Sequence, residues 1–409
     1  MCPGIALVLL LAFQTGFAFQ SNLSNEGLKA LNEKRYPAAV ESLTQAIAAD
    51  PKDYSLHFNL ALAYSLMGKN AEAVPEYKKT LELKPDLYQA ELNLGISLLR
   101  EKQAAEAVPY LTAAAAQNAK EYRPAYYLAT ALLDAGEFAK AEQSYQTALA
   151  LDPKSPDAEL GLAHALAKQN RLDDAAAHFK KAAELNASYR DDLLELASLY
   201  EVGKQPEQAI AIYQQFPDNA GAQERLGNLL LKAGRAADAI PCFEAAVAKS
   251  PTEANRAGLA EAFLKNKEPD KALPVVQQIL ASDPDNFEIR MVEGRIVRDQ
   301  RKFPEAAEDF ERATKLKPDA PEAWSELAGV LVMAENYPPA LAALDRVAAL
   351  HAEKPGHVFL RAIVLDKIRD LKPALESYQR FLQMSQGENP NQEWQAKQRV
   401  KILEREINK

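Results

Sequence analysis

From about residue 20 to 388, apolar residues recur three and four positions apart in short runs separated by polar turns. That spacing is the mark of amphipathic helices and not of half-buried strands, which alternate. The runs themselves repeat. Asn59-Leu60-Ala61-Leu62-Ala63-Tyr64 is followed 34 residues later by Asn93-Leu94-Gly95-Ile96-Ser97-Leu98. Frames at Gln20, Tyr54, Tyr88, Tyr122, Pro156 and Arg190 hold a 34-residue step; Ala220, Glu253, Phe287, Pro321 and Pro355 follow after steps of 30, 33 and then 34. Eleven windows result, each predicting two helices, A and B.

Every window makes the same steric demands. Its eighth residue is Gly or Ala (Gly27, Ala61, Gly95 and so on to Ala362), and its twentieth is always Ala, from Ala39 to Ala374. Its twenty-fourth is bulky and apolar, as in Tyr77, Leu111, Tyr145, Phe179 and Phe310. Two small sites facing one large one let two helices pack closely. The prolines mark the helix ends. Pro51, Pro85, Pro153, Pro251, Pro284 and Pro318 share the offset where helix B stops, and Pro37, Pro206, Pro269, Pro304, Pro338 and Pro373 cluster where it starts. A missing N–H costs nothing in a first turn. Pro75, Pro109, Pro241 and Pro274, a few residues deeper, are expected to lie in that first turn too.

These windows resemble the tetratricopeptide repeat, whose helix–turn–helix unit of 34 residues carries a Leu-Gly…Tyr…Ala…Phe…Pro signature. The resemblance spans about nine-tenths of the chain. It implies an all-α fold, a right-handed superhelical solenoid of helix–turn–helix repeats with a C-terminal capping helix. Some windows depart from the pattern. The family's early Trp occurs only at Trp324, where others have His57, Glu91 or Arg290. Glu26, Glu293 and Arg361 replace the usual Leu, and those windows are expected to pack less tightly.

In this family the A helices line a groove that takes peptides or partner helices, through the second, fifth, sixth, ninth, twelfth and thirteenth residues of each window. Carried over, these offsets give an apolar first half: Leu28, Phe58, Leu62, Leu92, Ile96, Tyr126, Leu160 and Leu194. Windows seven to nine present Glu224, Asn228, Glu261, Met291, Arg295 and Arg298 instead. Asn59 and Asn93 share the sixth offset and resemble two rungs of the family's asparagine ladder for a peptide backbone. The apolar side chains have an alternative use, packing adjacent A helices together, and the asparagines could equally be two polar residues on a helix edge. The family's Lys-based clamp for a C-terminal carboxylate is absent, since the fifth offset holds Ser24, Phe58, Leu92 and Tyr126.

Outside the windows, residues 1–18 read as a signal peptide. Ile5 to Phe13 is a nine-residue apolar run, no charged residue precedes Glu26, and Gly16 and Ala18 suit cleavage. The run is too short to span a membrane. Its basic n-region is missing. Repeats one to six (20–219) and seven to eleven (220–388) are expected on either side of a kink, because helix B stops early at Ile212-Tyr213-Gln214-Gln215-Phe216-Pro217. Residues 389–409 read as the cap, with Ala396, Val400, Leu403 and Ile407 on one stripe and charge on the other faces.

Composition narrows the function. The chain has 409 residues, 48% hydrophobic and 26% charged, with a net charge of −9. An acidic balance argues against nucleic acid and anionic membranes as partners. Five histidines fall in no metal-ligand spacing, and no phosphate loop or nucleophile elbow occurs. Two cysteines, Cys2 and Cys242, cannot form a disulfide framework, and Cys242 reads as a buried, inert thiol. The sequence therefore predicts a non-enzymatic scaffold that needs no cofactor, metal or small-molecule substrate and binds other proteins. Its compartment is periplasmic or extracellular if the N-terminal run is a signal, and cytoplasmic otherwise. The alternative is a structural, self-associating subunit of a secretion or envelope-assembly complex.

Overall fold

The computed structural model describes residues 22–408. The signal peptide expected at 1–18 and Cys2 lie outside the described residues. The chain divides into two compact units, one ending at Ile212 and one beginning at Tyr213. In the first, α1 (22–32) pairs with α2 (Tyr36–Ala49), α3 (Tyr54–Leu66) with α4 (Asn70–Leu83), and α5 (Tyr88–Arg100) with α6 (Ala104–Gln117). Next come α7 (Tyr122–Asp134) with α8 (Phe138–Leu151), α9 (Pro156–Lys168) with α10 (Leu172–Leu185), and α11 (Asp192–Val202), after which α12 (Pro206–Tyr213) runs to the division. The second unit holds α13 (Ala220–Lys232), α14 (Ala236–Lys249), α15 (Glu253–Lys265), α16 (Pro269–Ser282), α17 (Phe287–Asp299) and α18 (Phe303–Leu316). It continues with α19 (Pro321–Met333), α20 (Tyr337–Ala349), α21 (Pro355–Lys367) and α22 (Leu371–Ser385), and α23 (Pro390–Ile407) closes it. No strand occurs among the described residues.

Within each unit a B helix packs on its own A helix and on the A helix that follows, as α4 does on α3 and α5. That nearest-neighbour stacking is a solenoid. The small-against-large rule explains its core. The alanine at the twentieth offset is 0% exposed in every window from Ala39 to Ala374. The residue at the twenty-fourth is buried throughout, including Leu43, Tyr77, Leu111, Phe179, Phe243 and Phe310. A Cβ on Gly27 would come within 2.7 Å of Leu43, and one on Gly294 within 2.7 Å of Phe310.

Phe243 makes the sharpest test of this rule, because glycines flank its ring on two sides: Gly227 from α13 and Gly258 from α15. A Cβ on Gly227 would sit 2.7 Å from the ring edge, and Gly258 blocks the retreat. Gly227→Ala should destabilise by about 1–3 kcal/mol through overpacking, less the ~1 kcal/mol that alanine gains in a helix. A Cβ on Gly329, inside α19, would meet nothing within 4 Å, so Gly329→Ala should stabilise by roughly 0.5–1 kcal/mol. Urea melts of the two variants should move in opposite directions.

One expectation needs correction. Pro75, Pro109, Pro241 and Pro274 lie inside α4, α6, α14 and α16, at the sixth residue of each helix, beyond the first turn. Each costs one backbone hydrogen bond. The prolines are exposed, and so are Ala71, Ala105, Ala237 and Asp270 four residues earlier, so the freed carbonyls face water. Helix α11 also starts at Asp192 and not at Arg190, since a 3-10 turn, Ala187–Tyr189, intervenes. Asn186 Oδ1 holds that turn by accepting from Ser188 N at 3.0 Å. Helix α12 has 8 residues, against 14 in most B helices.

Contacts are sparse at the junctions α20–α21, α10–α11 and α16–α17. Two of these enter the windows of Arg361 and Glu293, whose own helix pairs, α21–α22 and α17–α18, nevertheless pack closely. At the C-terminal end, α23 buries Ala396 and Leu403 on α22, and Arg399 grips Asp366 of α21 through two nitrogens. The cap's outer face is not purely charged, however: Trp394 is 64% exposed and Ile402 41%.

Candidate peptide-binding groove

Five of the A helices start from a side-chain cap. Asp53, Ser155, Asn219, Thr252 and Asn286 each accept a backbone N–H through the side chain, fixing where α3, α9, α13, α15 and α17 begin. That sets the rotation of the A helices and hence which residues form the candidate face. The structure separates the candidate residues by depth. Leu28 is 37% exposed, and Phe58, Leu62, Tyr126, Leu160 and Leu194 are half-buried. Leu92 and Ile96 are buried in one cluster with Tyr77, Leu94 and Leu111, against which Phe58 also packs. Those two side chains serve the packing between repeats.

The asparagines are engaged within the fold. Asn59 Nδ2 donates to Ser55 O of its own helix at 2.7 Å. Asn93 bonds to the Tyr77 hydroxyl, which Ser65 also reaches at 3.3 Å. Burial pushes the Tyr77 hydroxyl up to about 12, only partly opposed by these two partners. Tyr126 stacks on Tyr122 with ring centroids 5.4 Å apart, and meets Tyr127 and Tyr145 edge-on at 5.3 and 6.2 Å. Burial and the nearby Asp157 raise the pKa of its hydroxyl.

In the second unit three of the charged offsets, Glu261, Arg295 and Arg298, are paired within the fold. Arg295 Nε donates to Glu326 at 2.8 Å and Arg298 to the same carboxylate. Glu261 pairs with Lys265 at 2.8 Å. Met291 is buried. Among the described residues no cluster of three or more His, Cys, Asp or Glu could hold a metal ion, and no helix is long and apolar enough to cross a membrane.

Beneath the candidate face lies a network that residue patterns did not reveal. The fourth offset, where the family has Trp, is occupied by different side chains with one task. Trp324 Nε1 donates to Pro318 O at 3.0 Å, Arg290 Nη2 to Pro284 O at 3.0 Å, and His57 Nε2 lies 3.2 Å from Pro51 O. Each reaches the carbonyl of the proline six residues back, which closes the preceding helix B. His57 and Arg290 also meet a carboxylate at the twenty-third offset, Glu76 at 2.6 Å and Asp309 at 3.2 Å. Glu159 reverses the polarity, accepting from His178 at 2.6 Å and pairing with Lys181 at 2.5 Å while only 1% exposed.

The sequence pattern described as tetratricopeptide repeat matches residues 25–88, 64–122, 126–192, 160–224, 194–254 and 291–357, and a second pattern of the same description matches 230–296. The chain belongs to the tetratricopeptide-repeat family. Family membership supports a protein-interaction scaffold with protein partners. Among curated proteins, the protein STIP1 homolog of Dictyostelium discoideum is 36% identical over 66 residues, which is 16% of this chain and 12% of that protein. The tetratricopeptide-repeat chain thus spans about one-eighth of that relative's length. Solved structures titled "MamA MSR-1 C2" and "MamA 41-end from Desulfovibrio magneticus RS-1" are 27% and 25% identical, over 41% and 42% of this chain and 97% and 96% of theirs, each with a TM-score of 0.39.

Proposed function

We propose that this tetratricopeptide-repeat protein is a non-enzymatic scaffold that holds peptide or helical segments of partner proteins along the A-helix face of its first unit, outside the cytoplasm. The observation that carries the binding reading is the row of half-buried apolar side chains on that face, Phe58, Leu62, Tyr126, Leu160 and Leu194. Such a row offers apolar area to a partner without exposing enough to drive aggregation. The second unit is less suited to that role, because Glu261, Arg295 and Arg298 at its groove offsets are charged and already paired within the fold. Export rests on the apolar run Ile5 to Phe13 with Gly16 and Ala18 behind it.

Affinity capture with the chain and with its Leu62→Asp, Leu160→Asp variant tests the binding reading. Both leucines are half-buried, so the variant should keep its helical signal and melt within a few degrees of the parent. A partner held by the parent and lost from the variant supports the groove. Identical captures by two folded baits would sink it. The export half is tested separately, by fractionation: a mature chain shorter than the precursor, found outside the cytoplasm, supports it, and a full-length cytoplasmic chain overturns it.

A further inference from the structure

The second unit carries an apolar cleft on a different face from the groove. It measures about 630 Å³ and lies between α18 and α20, with α19 as its floor. Leu327 and Leu331 form the floor beside Trp324, Ala307 lies in one wall, and Ala342 and Ala343 lie in the other. None of α19's groove offsets (Glu322, Ser325, Glu326, Gly329, Val332, Met333) lines it. The cleft exists because both walls present small residues. At the twenty-third offset, where the window before has Asp309, this one has Ala343.

We infer that this cleft is a second docking site, whose occupant is an amphipathic helix of a partner protein with a Lys or Arg beside its apolar stripe. Two observations choose that occupant. First, the walls and floor are helices whose backbone groups are already hydrogen-bonded, and the lining is mostly Ala, Pro, Leu and Trp. An extended peptide laid there would bury unpaired N–H and C=O groups, whereas a helix satisfies its own. The wall of α18 lines the cleft from Pro304 to Lys315, roughly 16 Å at 1.5 Å per residue, or about three helical turns. Second, that wall is acidic. Glu308 makes no ion pair among the described residues, and Glu311 is paired with Lys315 of its own helix at 2.7 Å. A cation on the incoming helix complements Glu308 directly and can exchange for Lys315 at Glu311.

The probe is a synthetic helix of about four turns, with Leu at i, i+3, i+4 and i+7 flanked by Lys, and a twin with Glu in place of each Lys. Binding to the full chain is followed by anisotropy, and by tryptophan emission in a Trp394→Phe background, which leaves Trp324 as the reporter. The Lys helix should bind and shift Trp324 emission. The Glu twin should bind at least tenfold more weakly. Ala342→Phe, an exposed position on α20, should fill the cleft and cut affinity at least tenfold without lowering the melting temperature. Glu308→Gln with Glu311→Gln should weaken the Lys helix severalfold and flatten its salt dependence. Equal binding of the twins overturns the proposal, as does binding that Ala342→Phe leaves unchanged, or no binding at all. Self-association of the unliganded chain that Ala342→Phe abolishes would also overturn it, making a second copy the occupant. The groove variant Leu62→Asp, Leu160→Asp should leave Lys-helix binding intact, which keeps this site distinct from the proposed groove.

Discussion

Arg290→Met should destabilise the second unit by about 3–5 kcal/mol at pH 7.5, the cost of breaking a buried ion cluster from one side. Arg290 is 6% exposed and faces Glu293 at 3.1 Å and Asp309 at 3.2 Å, with Gln277 donating to Glu293 from α16. One guanidinium thus serves a buried carboxylate and a half-buried one. Burial, with Glu293 beside it, raises the Asp309 carboxyl from 3.8 to about 6 despite Arg290. The sign follows from linkage. Between pH 4 and 6 the folded state binds a proton that the unfolded state has released, so this group's contribution to stability falls as pH rises through that window. Removing Arg290 leaves two carboxylates with no cation, and the damage should shrink as the pH drops toward 5 and Asp309 protonates. Asp309→Asn should do the opposite. It leaves a neutral Arg290–Glu293 pair, costs little at pH 7.5, and flattens the slope between pH 4 and 6. Thermal melts at pH 5 and 7.5, with hydrogen exchange over α17 and α18, read both variants. A deficit for Arg290→Met that is equal at the two pH values would show that the carboxylates are not what it neutralises.

Arg290 also shows where sequence reading succeeds and where it stops. The window frame was legible because close packing leaves a mark on residue size: an alanine or glycine where a Cβ would meet Leu43 or Phe310 cannot be much else. Periodicity gave the face of each A helix as well. It did not give depth, which is why Leu92 and Ile96 looked equivalent to Leu62 though only Leu62 keeps some access to solvent. Depth depends on what the neighbouring repeat brings, and Phe58 and Tyr127 of the adjacent repeats pack against the cluster that holds Leu92 and Ile96. The fourth offset looked like a departure from the family, because Trp324, Arg290 and His57 share no chemistry beyond an N–H donor. Their shared acceptor, a proline carbonyl six residues back, is a backbone atom and has no letter in the sequence. The cleft of the second unit is invisible for a related reason: it comes from what Ala342 and Ala343 fail to fill.

Replacing Lys34, Lys102, Lys204 and Lys267 together by glycine should stabilise the protein, most of all its first unit. These lysines occupy the fifteenth offset, the turn from helix A to helix B, where the backbone is left-handed in all eleven windows, with φ from 57° to 82°. Only Gly68, Gly136 and Gly234 meet that demand without a Cβ, and Asn170 tolerates it. A lysine there is strained by ~1–2 kcal/mol. Glycine's greater freedom in the unfolded chain returns roughly 0.5–1 kcal/mol of that, leaving a net gain of about 0.5–1 kcal/mol per site. The lysine side chains are exposed, while each backbone N–H donates to helix A, as Lys102 does to Leu99 O at 2.9 Å. Glycine keeps that bond. The sites lie in separate repeats, so the gains should add. Three of the four fall in the first unit, which should melt about 3–12 °C higher, while the second, with Lys267 alone, shifts by less. The same four changed to alanine remove identical charge but retain a Cβ. If the alanine set stabilised as much as the glycine set, relief of charge and not of backbone strain would be the cause; the expected result is that only glycine raises the melting temperature.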